Sequence, residues 1–184
     1  QIIFMKKNSG FSLVELLVVV AIIGVLAGVG IVGFQRYVES AKQKVALQNF
    51  DTVIKFFSTE LIILNSGIQN ESSLIKVSNA KWKRGVHNLN SFLEGAAKYH
   101  DLGYGLASFR NPYQNQSIKQ VYSMSIPDDA SSSSLTKKGN IVFRVHPDYP
   151  TDGAKIAGDR QFQVLYYVDD GVIDATNTKS LTLK

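Results

Sequence analysis

Lys6-Lys7-Asn8-Ser9-Gly10-Phe11-Ser12-Leu13-Val14-Glu15 stands directly before an apolar run that ends at Phe34. From Leu16 to Phe34 there are nineteen residues without a charge. At about 1.5 Å of rise per residue, a helix of that length spans most of a ~30 Å hydrocarbon core. Lys6 and Lys7 precede it, as the positive-inside rule expects of a cytoplasmic flank. Glu15 is the anomaly. A carboxylate within a bilayer costs roughly 2.5 kcal/mol or more, which marks it as functional. A compensating cation would arise if the chain were cut nearby to create an α-amino group.

This arrangement resembles the type IV pilin and pseudopilin family, whose members carry a type III signal. The resemblance implies that a membrane-embedded prepilin peptidase cuts after Gly10, that Phe11 becomes the N-methylated N-terminus, and that Glu15 is the acid used in assembly. It continues through Leu16-Leu17-Val18-Val19-Val20-Ala21-Ile22-Ile23-Gly24-Val25-Leu26-Ala27 and Phe34-Gln35-Arg36-Tyr37, covering residues 5 to about 42. The plain alternative is an ordinary signal anchor in which Glu15 is incidental.

Two features depart from the family's pattern. Many members have a proline in mid-helix, where this chain has Val32; it carries Gly24, Gly28, Gly30 and Gly33 instead. Each Gly costs a helix roughly 0.5–1 kcal/mol relative to Ala, so Gly28 to Gly33 could loosen inside a filament. Equally, these are small residues suited to close helix packing in lipid. The other departure is Gln1-Ile2-Ile3-Phe4, since Met5-Lys6-Lys7 reads as the natural start; residues 1–4 are expected to be a fragment boundary or a misplaced start.

With 184 residues, the chain has enough length for one globular domain after the membrane segment. It has no cysteine, which excludes a disulfide staple and thiolate metal sites. The net charge is +5; loss of Lys6 and Lys7 leaves 18 basic against 15 acidic side chains, about +3. That is too mild to argue nucleic-acid binding.

Beyond the apolar run, Val38, Ala41, Val45, Asn49, Val53, Phe56 or Phe57, Glu60, Leu61 and Leu64 recur at spacings of three to four, the pattern of an amphipathic helix. No proline interrupts Phe11 to Leu64, so one helix of about 50 residues is expected. Asn65-Ser66-Gly67 would stop it, with Gly67 as left-handed cap. Residues 68–86 read as irregular. Trp82 among Lys81, Lys83 and Arg84 could stack on single-stranded DNA at a pilus tip. The simpler reading, and the expected one, is an anchor tryptophan among solvated lysines. Leu89, Phe92, Leu93, Ala96 and Ala97 predict a second helix over 89–100, capped by Asn88 or Asn90, and Asn111-Pro112-Tyr113 reads as a turn.

Strands are expected at 118–126, 141–145 and 162–168, with Asp169-Asp170-Gly171 as a hairpin turn and Val172 and Ile173 returning. An antiparallel meander packed on the helix stripe gives an α+β fold, and the resemblance implies the pilin ladle. The expected organisation is a leader at 1–10, a membrane and filament-core helix at 11–34, and a globular domain at 35–184. That domain divides into helix 35–64, a connecting region 65–116 and a sheet 117–184.

His87, His100 and His146 lack ligand spacing, and no phosphate loop or nucleophile elbow is present, so nothing supports an enzyme. Asp169, Asp170 and Asp174 are weak calcium candidates, with Asp148 and Asp152 weaker still. The resemblance adds that major pseudopilins of type II secretion bind calcium in C-terminal loops; the plainer reading is a solvated acidic turn.

The resulting expectation is a self-assembling structural subunit of a type IV pilus, serving adhesion, motility or DNA uptake. Its implied partners are the prepilin peptidase, the inner-membrane assembly platform and further copies of itself. It would sit in the inner membrane as precursor and then in an extracellular filament. The alternatives are a minor pilin, a periplasmic pseudopilin of type II secretion, or a DNA-binding tip module.

Overall fold

A computed structural model describes residues 10–101, 111–113, 136–145 and 160–184. Helix α1 runs over Leu13–Asn65, strands β1 over Glu71–Val77 and β2 over Ala80–Lys83, and helix α2 over Leu89–Asp101. Strands β3 (Ile141–Val145), β4 (Arg160–Asp169), β5 (Val172–Ile173) and β6 (Lys179–Leu183) follow. The chain divides into two compact units, one ending at Ala41 and one beginning at Lys42.

In the first unit no described residue is buried, and its large apolar side chains from Leu13 to Phe34 are all exposed. The stretch is helical because it is long, uncharged and free of proline, although four glycines weaken it. It is long and apolar enough to cross a membrane by length and composition.

In the second unit α1 buries Ala46, Phe50, Val53, Phe56, Phe57, Glu60, Leu61 and Leu64. The expected stripe is therefore right from Val53 onward and wrong before it: Val45 is exposed and Asn49 only partly covered. Steps of four drift by about 40° each at ~100° per residue, and the alternation of fours and threes through 46, 50, 53 and 57 corrects the drift. Phe50 thereby reaches Tyr166, ring centroids 6.1 Å apart, and Phe57 meets Phe143 at 4.8 Å and Phe162 at 5.0 Å. These contacts seat the helix on the sheet and give the expected α+β class.

β4 is the central strand. β3 pairs with it antiparallel from Ile141↔Tyr166 to Val145↔Phe162. The opposite edge is shared by β5 and then β6, the latter pairing from Arg160↔Leu183 to Val164↔Lys179. Alternation along β4 sends Phe162, Val164 and Tyr166 to the main core, while Leu165 and Tyr167 join Val142 in a second cluster. Gly171 makes the expected turn at φ 75°. β6 was not expected; Lys179-Ser180-Leu181-Thr182-Leu183 offers only two apolar residues.

Residues 68–86 are not irregular, as read from sequence, but contain the β1–β2 hairpin, paired from Glu71↔Lys83 to Val77↔Ala80. Polar residues hid it, because only Ser72 and Ile75 of β1 are buried. The hairpin is tied to α1 by Glu60, which is 1% exposed. Its carboxylate accepts from the Ser72 hydroxyl and from the Ser73 hydroxyl at 2.9 Å. Ser72 Oγ in turn accepts from the Ile75 amide at 2.8 Å. Both carboxyl oxygens of this buried side chain thus have hydrogen-bond partners, as burial of a polar group demands.

α1 stops at Asn65, with Gly67 at φ 72° as its cap region anticipates. Asn65 then bridges three elements. Its amide donates to Thr182 O at 2.9 Å, and its oxygen accepts from Lys184 N at 2.8 Å and Arg84 at 3.3 Å. α2 is capped by Asn88, whose side-chain oxygen accepts from Ser91 N at 2.8 Å. At the expected turn, buried Asn111 donates to Lys138 O at 2.8 Å and Asn140 Oδ1 at 2.7 Å. The expected strand at 118–126, His146, and Asp148 and Asp152 lie outside the described residues.

Candidate functional site

Ser12 begins the site as the residue directly before α1. Its carbonyl accepts from the Leu16 amide at 3.2 Å, the first helical bond of α1, and its hydroxyl accepts from the Val14 amide at 3.3 Å. Three residues on, Glu15 Oε2 accepts from the Ser12 amide at 2.8 Å. This reciprocal arrangement is a capping box, which satisfies orphan amide donors at a helix start and places a negative charge at the positive end of the helix dipole. The Ser-x-x-Glu spacing before an apolar run is its sequence signal. The sequence reading had assigned a role to Glu15 and none to Ser12.

Gly10 and Phe11 precede the helix, outside its hydrogen-bonding ladder, and the Phe11 side chain is 87% exposed. The geometry therefore puts the Gly10–Phe11 bond in non-helical chain two residues before α1 begins at Leu13. Behind Glu15, the uncharged helix from Leu16 to Phe34 offers apolar surface on every side. Such a surface must be covered by lipid or by other apolar helices. Chemically the segment can be inserted, trimmed and packed; it brings no nucleophile or acid–base pair together.

The other candidates fall elsewhere. Trp82 is fully buried, donates Nε1–H to Asn88 O at 3.1 Å and packs on Phe92 at 5.0 Å between ring centroids. The DNA-stacking role entertained for it is corrected accordingly: an indole closed into the core has no face for a base. Lys83 pairs with Glu71 at 3.5 Å, its partner across the hairpin.

Asp169, Asp170 and Asp174 do not converge. Asp170 accepts from Lys137 Nζ at 2.7 Å and Lys138 N at 2.9 Å, and the Lys137 hydrogen bond holds its carboxyl below the usual range. Asp174 accepts from Thr176 Oγ1 at 2.5 Å and Asn177 Nδ2 at 2.6 Å; the Thr176 hydroxyl is the main cause of its lowered pKa. Among the described residues no group of three or more His, Asp or Glu is placed to hold a metal ion.

His87 Nδ1 accepts from Lys83 N at 2.9 Å and so closes the turn after β2. His100 is buried on α2 with Nδ1 2.8 Å from Ala96 O, edge-on to Phe56 at 4.6 Å. Both are structural.

Residues 5–31 match the family described as the prokaryotic N-terminal methylation motif. No solved structure matches the chain. The match spans the lysine leader, the Gly10–Phe11 step, the capping box and most of the apolar helix. Processing by a prepilin peptidase and a membrane-anchored precursor are what that motif implies. The N-terminal segment thus carries a prepilin-type methylation motif, and that motif supports the resemblance to the type IV pilin and pseudopilin family.

Proposed function

We propose that the protein is a structural subunit of a type IV pilus, cut after Gly10, N-methylated on Phe11 and assembled through the first half of α1. The observation that carries this reading is the uncharged helix from Leu16 to Phe34, exposed on all sides, with a single carboxylate at its start. Lipid covers that surface in the precursor, and neighbouring copies of the same helix cover it in the filament. Glu15 has a natural partner once Phe11 carries a free α-amino group. Pairing with the amino group of a neighbouring subunit would set axial register, because an unpaired buried charge costs about 3–5 kcal/mol.

The test is the mass of the N-terminal peptide from protein sheared off the cell surface. A species beginning at N-methylated Phe11, and dominating the sheared filaments, is expected. A chain that retains Lys6 and Lys7 would overturn the reading.

A further inference from the structure

The amide hydrogen bonds at the start of α1 bear on the peptide bond just upstream. An α-helix grows towards its N-terminus only if each added turn is bonded from the amide of one residue to the carbonyl four residues earlier. For α1 to run back over Gly10, the Val14 amide would have to donate to the Gly10 carbonyl, and the Ser12 amide to the Asn8 carbonyl. Both donors are already engaged. Ser12 Oγ accepts from Val14 N at 3.3 Å, and Glu15 Oε2 accepts from Ser12 N at 2.8 Å. The ladder begins instead with Leu16 N donating to Ser12 O at 3.2 Å, and Gly10 and Phe11 stay outside the helix.

The consequence falls on one atom. The Gly10 carbonyl oxygen is the acceptor that Val14 N–H would occupy in a longer helix, and it belongs to the bond that processing would cut. Hydrolysis needs that oxygen open to the donors that stabilise a developing oxyanion. A bond held inside a helical turn is cut only in the fraction of time that the turn stands open. The sequence also offers a competing start. Asn8 and Ser9 are both of capping type, and a helix capped there would take Gly10 and Phe11 into its first turn. Gly10, a poor helix former, opposes that start, and the Ser12 cap opposes it further.

We propose that Ser12 is a positioning residue for processing: its hydroxyl takes the Val14 amide away from the Gly10 carbonyl and keeps the scissile bond in open chain. The proposal rests on the reading that the chain is cut after Gly10. In that step water adds across the Gly10–Phe11 amide. Its hydroxyl goes to the Gly10 carbonyl carbon, and its proton goes to the Phe11 nitrogen, which leaves as an α-amino group. Ser12 touches neither reacting atom; it decides how often the bond is presented.

Full-length precursor in detergent micelles would be incubated with membranes that carry a prepilin peptidase, and the N-terminal peptide followed by mass spectrometry. The wild-type chain should be cut between Gly10 and Phe11. Ser12→Ala should be cut about two- to fivefold more slowly, the upper figure being the usual contribution of an N-cap written as an equilibrium ratio. Ser12→Thr keeps a capping hydroxyl and should be cut at the wild-type rate. Leu13→Pro, added to Ser12→Ala, should restore cutting. Proline suits the first helical position and holds the residue before it out of helical conformation, so it blocks the earlier start without any hydroxyl. Leu13 is 79% exposed, so the change unpacks nothing. In the uncut chain, the carbonyl carbon NMR shift of Gly10 should move towards the hydrogen-bonded range in Ser12→Ala and return in the double variant. Equal cutting of Ser12→Ala and wild type, or slow cutting of Ser12→Thr, would overturn the proposal. So would slow cutting of the double variant, because Ser12 would then act by touching the peptidase. A wild-type chain left uncut would overturn the processing reading itself, and this proposal with it.

Discussion

The amide of Ser12 donates to Glu15 Oε2 across 2.8 Å, so the acid of the membrane segment is already engaged by its own helix start. Glu15 can therefore serve two ends: capping, which needs an oxygen acceptor, and pairing with a free amino group, which needs charge. Glu15→Gln separates them, because it keeps the acceptor and loses the charge. Filament yield should fall in Glu15→Gln as far as in Glu15→Ala. Amide exchange at Val14 and Leu16 in micelles should quicken only in Glu15→Ala. Normal filaments from Glu15→Gln would remove charge pairing from the account.

Ser12→Ala should weaken the helix start by about 1 kcal/mol, the usual cost of losing an N-cap. Ser12→Asp should restore the cap. Exchange rates of the Val14 amide, which Ser12 Oγ accepts from at 3.3 Å, report both. An unchanged Val14 rate in Ser12→Ala would mean that the hydroxyl contributes nothing.

Glu60 fixes the hairpin to α1, so Ser72→Ala should destabilise the globular unit by about 1–3 kcal/mol, the cost of stripping a donor from a buried polar group. Glu60→Gln and Ser72→Ala act on one network and should not add in a double-mutant cycle. Thermal melts followed by Trp82 emission would measure all three variants, since Trp82 is the sole tryptophan and lies in the core. Simple additivity would deny the coupling.

Asn65→Ala should release the last strand from the helix end. Two backbone partners, Thr182 O and Lys184 N, lose their side-chain bonds at once. A loss of about 1–3 kcal/mol is expected. Faster exchange of the Lys184 amide would localise it to β6.

His100 should make stability depend on pH. Burial lowers its pKa from 6.5, against a smaller opposing effect of the Ala96 carbonyl. A depressed folded pKa means that the unfolded chain binds the proton more readily. Stability is then fully present above about 6.5 and is lost as pH falls from there towards the folded value. Denaturant midpoints between pH 7.5 and pH 5 would show the slope, with about 6.5 as its upper shoulder. His100→Phe, which keeps an aromatic ring beside Phe56, should flatten it.

Much of this protein is written locally. Nineteen uncharged residues after a lysine pair, a Gly-Phe step and a glutamate at fixed spacing identify the N-terminal segment, because insertion and helix formation depend on residues adjacent in the chain. The same holds for the cap at Asn88, the stop at Asn65 to Gly67 and the turn at Gly171.

The tertiary structure decided what depends on distant partners. Which face of α1 turns inward before Val53 was set by Tyr166 meeting Phe50. The β1–β2 hairpin and β6 carry few apolar residues and so give almost no periodic signal; Glu60 with Ser72, and Asn65 with Thr182, hold them. Trp82 is expected from sequence as a core anchor and is buried; that Phe92 and the Asn88 carbonyl are what it meets is known only from the fold. Periodicity and spacing act within a few residues and can be read from the chain, whereas a polar residue's partner across 117 positions exists only once the fold has brought the two together.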